Sequence, residues 1–368
     1  MEEKKASTKN QHFVPQFYQR NFSVDGKMIG TYLINQDKYV PTASIKHQAS
    51  ADYFYSANMK IEEALGSLEA LASNAINSII ATPKAKLEGK DAMALYVFTM
   101  IQIGRTPAFV KQLEENANKM GTMMLRKYVE AMRKTEKADE VKVITDDVLD
   151  AVSIKMKEPG RFALGSISQL IDTCYDLLVD AKVLINLTNK PFVTSDNPAC
   201  LYDQYFERIG GLNYALGSSG LQIYLPLTPS LAIMYFDNKC YKLGDHKKHY
   251  VEITQVADVE QLNKLVACTA DEVLYCKNGS CYLSDLQAMV KAHKRFHVEE
   301  TTRQFDGIMK NETSEIIGAE HISMYCHLNL SFVKELPNYK SKTASNFDYN
   351  QDRFRASVYV RQAMRRGK

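Results

Sequence analysis

From Met59 the apolar positions of the chain fall into a helical rhythm. MKIEEALGSLEALASNAINSII places Ile61, Leu65, Leu68, Ala72, Ala75 and Ile79 on one stripe, and Pro83 closes it. DAMALYVFTMIQIGR follows and is apolar nearly all round, which predicts a buried central helix. Thr106-Pro107 interrupts it, and FVKQLEENANKMGTMMLRKYVEAMRKTEKA resumes as a more polar, amphipathic helix. The Thr145-Asp146-Asp147 cap signal opens a further helix, and the pattern predicts one more over roughly 166–180. Before this helical stretch, GKMIGTYLINQDKYVPTASIKHQASADYFYSA is rich in β-branched and aromatic residues, with a turn near Asn35-Gln36-Asp37, and predicts a strand or hairpin.

The period changes at Ala181. AKVLINLT and PFVTSDNP read as two strands joined by a tight turn at Asn189-Lys190. LQIYLPLTPSLAIMYFDN reads as strand, Pro-bounded turn and strand, VADVEQLNKLVACTADEVLYCK as helix then short strand, and SDLQAMVKAHKRF as helix. The fold class expected is α+β, a mainly helical N-terminal half beside a small, mostly antiparallel sheet. As organisation this gives one α+β domain over 10–330, helical at about 59–180 and strand-rich at about 181–280. A basic tail is expected over 335–368.

Composition narrows the class. Of 368 residues, 45% are hydrophobic and 24% charged, ordinary for a globular protein that buries a sizeable core. Lys+Arg of 46 against Asp+Glu of 43 leaves a net charge of +3, too small to imply nucleic acid or membrane through bulk charge. The seven cysteines are odd in number and form no C-x-x-C pair, so reduced thiols are expected rather than a zinc ribbon or a secreted disulfide framework. The N-terminal MEEKKASTKNQ lacks the apolar core of a secretion signal, and no long apolar run occurs. The expectation is a cytoplasmic protein outside the membrane.

Candidate chemistry concentrates in three stretches. In HFVPQFYQRNF, Pro15 suits the first turn of a helix, which would set His12 just before it, next to free backbone N–H groups suited to an anion. The alternative is a histidine tied to a neighbouring carbonyl. In IQIGRTP, Arg105 ends a very apolar helix and needs a carboxylate, carbonyls or an anionic ligand; Glu69 on the preceding helix is the structural candidate. In FVTSDNPAC, a strand ends in Ser195-Asp196-Asn197-Pro198, where Asp196 would serve as general base, metal ligand or orienter of His12, or simply close an Asx-turn. Arg20 is expected to pair with a carboxylate on the first long helix, and Asn263 is a polar residue on an otherwise apolar helix face.

Weaker signals are assigned to surface or structure. Ser218-Ser219-Gly220 lacks the lysine of a phosphate loop, and His246 and His249 sit in a charged loop. His293 and His297 are four apart on an expected basic helix, without an evident carboxylate or cysteine partner. Lys291, Lys294, Arg295, Arg361, Arg365 and Arg366 offer phosphate-backbone contacts or a solvated face.

In their order, HFVPQFYQRNF, the LEA helix, GRTP, FVTSDNP, YLPLTP and LNKLVA resemble the bacterial domain-of-unknown-function family number 4238. That family is marked by an N-terminal H-x-V-P-x-x-Y-L-x-x-F, an R-T-P after a helix and a later S-D-N-P. The resemblance runs from about residue 10 to about residue 280. It places the motif histidine on His12, the tyrosine on Tyr18, the arginine on Arg105, the S-D-N-P group on Ser195 to Pro198 and a helix asparagine on Asn263. Gln19 stands where leucine is usual, which implies a more exposed helix face. The resemblance brings no reaction, but it implies that His12, Arg105 and Asp196 form one cluster.

Together these readings give the expected function. It is a metal-independent, nuclease-like hydrolase of a phosphodiester or nucleotide, RNA being the first class to test, with a role in bacterial defence. His12, Asp196 and Arg105 are the expected catalytic residues, and Tyr18, Arg20, Ser195, Asn197 and Asn263 the expected substrate contacts. No metal and no cofactor is expected. The alternative is a non-catalytic nucleotide- or protein-binding module in which the His/Arg/Asp cluster is architectural.

Overall fold

The computed structural model describes residues 10–343 apart from 56–57, 137, 173, 179, 210–215, 280–282 and most of 292–325. The chain opens with β1 (Asn10–His12), α1 (Gln16–Arg20), β2 (Met28–Leu33), β3 (Lys38–Ser44) and β4 (Ser50–Asp52). The helical stretch follows as α2 (Met59–Ala81), α3 (Gly89–Gly104), α4 (Pro107–Met132), α5 (Asp146–Ala151) and α6 (Pro159–Leu170). Local chemistry sets most of these boundaries. The Asn58 side chain accepts from Lys60 N–H at the start of α2. Thr106 caps α4 by accepting from Phe109 N–H, with Pro107 at the first helical position. Thr145 does the same for α5 through Val148 N–H. The helix expected over 166–180 instead starts at Pro159 and stops at Leu170, because a proline in the first turn, with no N–H to satisfy, sets the start earlier.

The strand-rich part comprises β5 (Ala181–Asn186), β6 (Thr194–Ser195), β7 (Cys200–Tyr202), α7 (Gln204–Arg208), β8 (Gln222–Thr228), β9 (Leu231–Phe236), β10 (Tyr241–Leu243) and β11 (Tyr250–Ile253). Then come α8 (Val256–Thr269), β12 (Val273–Cys276) and α9 (Leu283–Lys291). One sheet has the order β11-β5-β9-β8-β7, with only β11 and β5 parallel; a second, antiparallel sheet has the order β3-β2-β12-β6. The α+β class is thus the observed one.

The larger sheet is buried on both faces. Val183, Ile185, Ile223, Leu225, Ile233 and Tyr235 join one core with residues of α1, α2 and α3. Their alternates Leu184, Tyr224, Ala232, Met234 and Phe236 join the other core with Val259, Leu262 and Val266 of α8. This two-sided burial explains the unbroken apolar runs IYLPL and LAIMYF, which lack a polar face because neither face meets water.

The expected hairpin of 181–188 with 191–198 does not form. β5 pairs with β9 and β11, whereas β6 pairs with β12, Leu274 lying opposite Ser195. Asn186 makes the difference. Its side chain accepts from Thr188 N–H at 2.9 Å and donates to Lys190 O at 2.7 Å, closing a local turn that carries the strand across to the second sheet.

The C-terminal part is also packed where described. The strand Val333–Glu335 pairs with β10, and Arg208 donates to the carbonyls of Tyr339 and Lys342, each at 2.7 Å. The rest of the expected tail, with Arg361, Arg365 and Arg366, lies outside the described residues. So do His293 and Lys294; Arg295–His297 is a strand rather than helix, so the expected histidine pair does not share a helix face. Among the described residues no helix is long and apolar enough to cross a membrane.

Candidate functional site

The opening motif is held by its carbonyls. His12 O accepts from Arg105 Nη2 at 2.8 Å and from Tyr55 OH at 3.0 Å. Phe13 O accepts from Gln102 Nε2 at 2.8 Å, and Val14 O accepts from Gln19 Nε2 at 2.8 Å. The N–H groups of Phe13 and Val14 both point at Ala49 O, at 2.8 and 3.4 Å. Three successive peptide groups are therefore fixed by buried side chains from α1 and the end of α3. Pro15 then turns the chain into α1, and Val14, Tyr18 and Phe22 enter the core with no exposure. Gln19 is itself fully buried, so its departure from leucine reflects this bond to Val14 and not a solvated face.

Arg105 anchors the arrangement. It is 2% exposed, pairs with Glu69 through Nη2 at 2.9 Å, and donates from Nε to Tyr55 OH at 2.8 Å. Burial opposes its charge, but Tyr55 and Glu69 outweigh burial and hold the guanidinium protonated. Nη1 is buried and has no partner. Glu69 is the carboxylate expected from the sequence.

His12 sits at the end of β1, four residues ahead of α1. Its Nε2 lies 3.2 Å from Gln16 Nε2. An amide nitrogen only donates, so Nε2 is the acceptor and the ring proton sits on Nδ1. Burial lowers the pKa of the imidazole; backbone bonds at Lys46 and Ile45 pull the other way, and the charges of Arg105 and Arg20 add to the lowering. His12 is thus a neutral base at neutral pH.

These groups line one cavity of about 370 Å³. Gln16, Phe17 and Arg20 of α1 enter it, and α2 presents Glu62, Leu65, Gly66 and Glu69, the i, i+3, i+4, i+7 stripe of one helix face. Arg20, expected to meet a carboxylate, instead donates to Gln16 Oε1 at 3.0 Å. Among the described residues no three His, Cys, Asp or Glu side chains converge as metal ligands.

The other residues singled out by sequence lie elsewhere. Asp196 accepts from the backbone N–H groups of Asp271 at 2.9 Å, Glu272 at 2.7 Å and Val273 at 3.0 Å, so its carboxylate faces the turn between α8 and β12 and not His12. Burial raises its pKa to about 6 despite those bonds. Ser195 Oγ accepts from Asn197 N–H, and Asn197 donates to Thr269 O, at 3.1 and 3.0 Å. Asn263 bridges Val193 N–H at 3.0 Å and Pro191 O at 2.9 Å. The Tyr18 hydroxyl donates to Pro226 O at 2.5 Å and accepts from Thr194 at 2.8 Å. The residues expected to cluster therefore separate into two groups. His12, Arg105 and Arg20 line the cavity; Tyr18, Ser195, Asp196, Asn197 and Asn263 do not line it and fasten the β6 strand to its surroundings.

The family model described as "Protein of unknown function (DUF4238)" matches residues 10–280, about three quarters of the chain. The chain belongs to that family. No curated protein and no solved structure matches it. The DUF4238 segment contains every residue of the cavity and of the β6 fastening. Sequence reasoning missed Gln16, Gln19, Tyr55, Glu62 and Gln102. One signal was available for Gln102: with Arg105 it is a polar i, i+3 pair in a helix otherwise apolar nearly all round.

Proposed function

We propose that this DUF4238 chain is a nuclease-like hydrolase acting on a phosphodiester or nucleotide, with the cavity at the end of β1 as its active site. The observation that carries the reading is Arg105 Nη1. It is a charged, buried donor without an acceptor, on a residue that lines the same cavity as a neutral histidine. A buried donor left unpaired is costly, and a ligand oxygen is what would fill it. Once substrate draws the Gln16 amide off it, His12 Nε2 is the base that takes a proton from the attacking water or hydroxyl and returns it to the leaving oxygen as the P–O bond breaks. Arg105, with Arg20 at the mouth, balances charge on the phosphoryl oxygens. Gln16 and the fixed 12–14 backbone orient the imidazole. Asp196 has no part in the chemistry on this reading. No resident metal is required by it, and the place of action is the cytoplasm, where the six buried thiols of the described residues stay reduced. The defence role is part of the same proposal.

One observation favours a second reading. The remaining donors of Arg105 all bind protein groups that tie β1 to α2, which would suit a non-catalytic nucleotide- or protein-binding module with an architectural cluster. Incubating wild type and His12→Ala with RNA, single-stranded DNA and nucleotides, with and without EDTA, separates the two. Cleavage by wild type in EDTA, lost in a His12→Ala protein that melts within a few degrees of wild type, supports the enzyme. An inert wild type, or an active His12→Ala, refutes it.

A further inference from the structure

The α2 stripe brings two carboxylates to the cavity, and one of them has an oxygen without a partner. Glu69 is engaged by Arg105 at 2.9 Å. Glu62 Oε2 is buried and accepts from nothing. They stand seven positions apart on the helix, about 10 Å of rise, so the unfilled oxygen lies along the cavity from the guanidinium and not beside it. Gly66 stands between; a side chain there would meet no atom within 4 Å, so the space between the two ends is open. The cavity lining thus has an unfilled donor on Arg105 towards one end and an unfilled acceptor on Glu62 towards the other, with the exposed Arg20 also in the lining.

We infer that Glu62 reads the base of a bound nucleotide, and that the site takes a nucleotide whose base edge donates hydrogen bonds, guanine above all. The inference rests on the nucleotide reading above. With a phosphate at Arg105 and Arg20, a carboxylate about 10 Å along the cavity reaches the base. A carboxylate only accepts, so it favours a base that donates and disfavours one that presents a carbonyl there. Guanine presents N1–H and the 2-amino group side by side, a donor pair suited to a carboxylate whose Oε2 is left unfilled by the protein.

The test is titration calorimetry on the full chain with 5′-GMP, 5′-IMP, which lacks only the 2-amino group, and 2′-deoxy-GMP. Wild type should bind GMP about tenfold more tightly than IMP, the worth of one hydrogen bond to a charged group. It should bind 2′-deoxy-GMP as well as GMP. Glu62→Gln should lose the GMP preference while still binding IMP. Equal affinity of wild type for GMP and IMP overturns the inference without recourse to any variant. Discrimination by the 2′-hydroxyl overturns it too, because the carboxylate would then be serving the ribose. If wild type cleaves RNA yet binds none of the three, the base-reading role falls and the hydrolase reading stands; if it neither cleaves nor binds, both fall.

Discussion

Arg105 and Glu69 form an ion pair whose two ends are unequally buried, and this makes a sharp prediction. Arg105 is 2% exposed and Glu69 27%. Replacing Arg105 with Ala removes bonds to Glu69, Tyr55 OH and His12 O. A bond from a charged donor is worth about 1.5–3 kcal/mol, so three of them cost at least about 4.5 kcal/mol. Water can reach the released Glu69, and Tyr55 OH still donates to His12 O at 3.0 Å, so no buried group is abandoned. Replacing Glu69 with Ala does the opposite: it leaves a cation in the interior without its counter-charge, which costs about 3–5 kcal/mol. Glu69→Ala should therefore be strongly destabilising although it removes only one of those three bonds. The double variant should be no less stable than Arg105→Ala alone, since the stranded charge has gone. Urea denaturation followed by circular dichroism on wild type, both single variants and the double variant gives the full cycle. A Glu69→Ala protein as stable as wild type, or single-variant losses that simply add in the double, would refute the argument.

Three further outcomes follow from the same structure. With its folded-state pKa at about 6 against an ordinary 3.8, Asp196 holds its proton more tightly when folded, so its contribution to stability is fully present below about pH 4 and is lost as pH rises to about 6, by about 3 kcal/mol; denaturation midpoints for wild type and Asp196→Asn across that window should show this fall in wild type alone, and a parallel profile would contradict it. Asn263→Ala abandons Val193 N–H and Pro191 O in the interior and should cost about 2–4 kcal/mol in thermal melts, while nucleotide titrations below the melting temperature stay as in wild type, because Asn263 lies off the cavity. Gly160→Ala would place a Cβ 2.1 Å from the carbonyl oxygen of Phe54, so α6 must move from that backbone and the melting temperature should drop by an amount matching about 1–3 kcal/mol; an unchanged melt would refute the need for glycine at this contact.

The helices α2, α3 and α4 were legible because each carries its own punctuation: the apolar stripe from Ile61 to Ile79, the all-round apolar run from Ala92 to Ile103, and Thr106-Pro107 as cap and first turn. The pairing of β6 was not legible. A strand's sequence tells which residues face a core but not which strand lies beside it, and Asn186 redirected the chain through bonds to Thr188 and Lys190 that a local turn signal does not distinguish from a hairpin. Arg105 was legible as a buried cation in need of a carboxylate, and Glu69 as its partner, because charge has few ways to be satisfied in an interior.

Asp196 marks the limit in the other direction. Its residue type and its place after a strand fit a general base, a metal ligand, an orienting group or an Asx-turn closure equally well. What decides among them is the row of N–H groups from Asp271 to Val273, some 75 positions along the chain. Gln19 and Gln102 follow the same logic, meeting the carbonyls of Val14 and Phe13. By itself, then, the sequence determined the bounds of the helices that carry their own caps, which faces are apolar, and which charges cannot be left alone inside. Tertiary structure alone decided which polar side chains line the cavity and which fasten the frame. The physical reason is that those side chains bind backbone groups, and every residue but proline offers the same N–H and C=O, so the partner leaves no mark in residue identity.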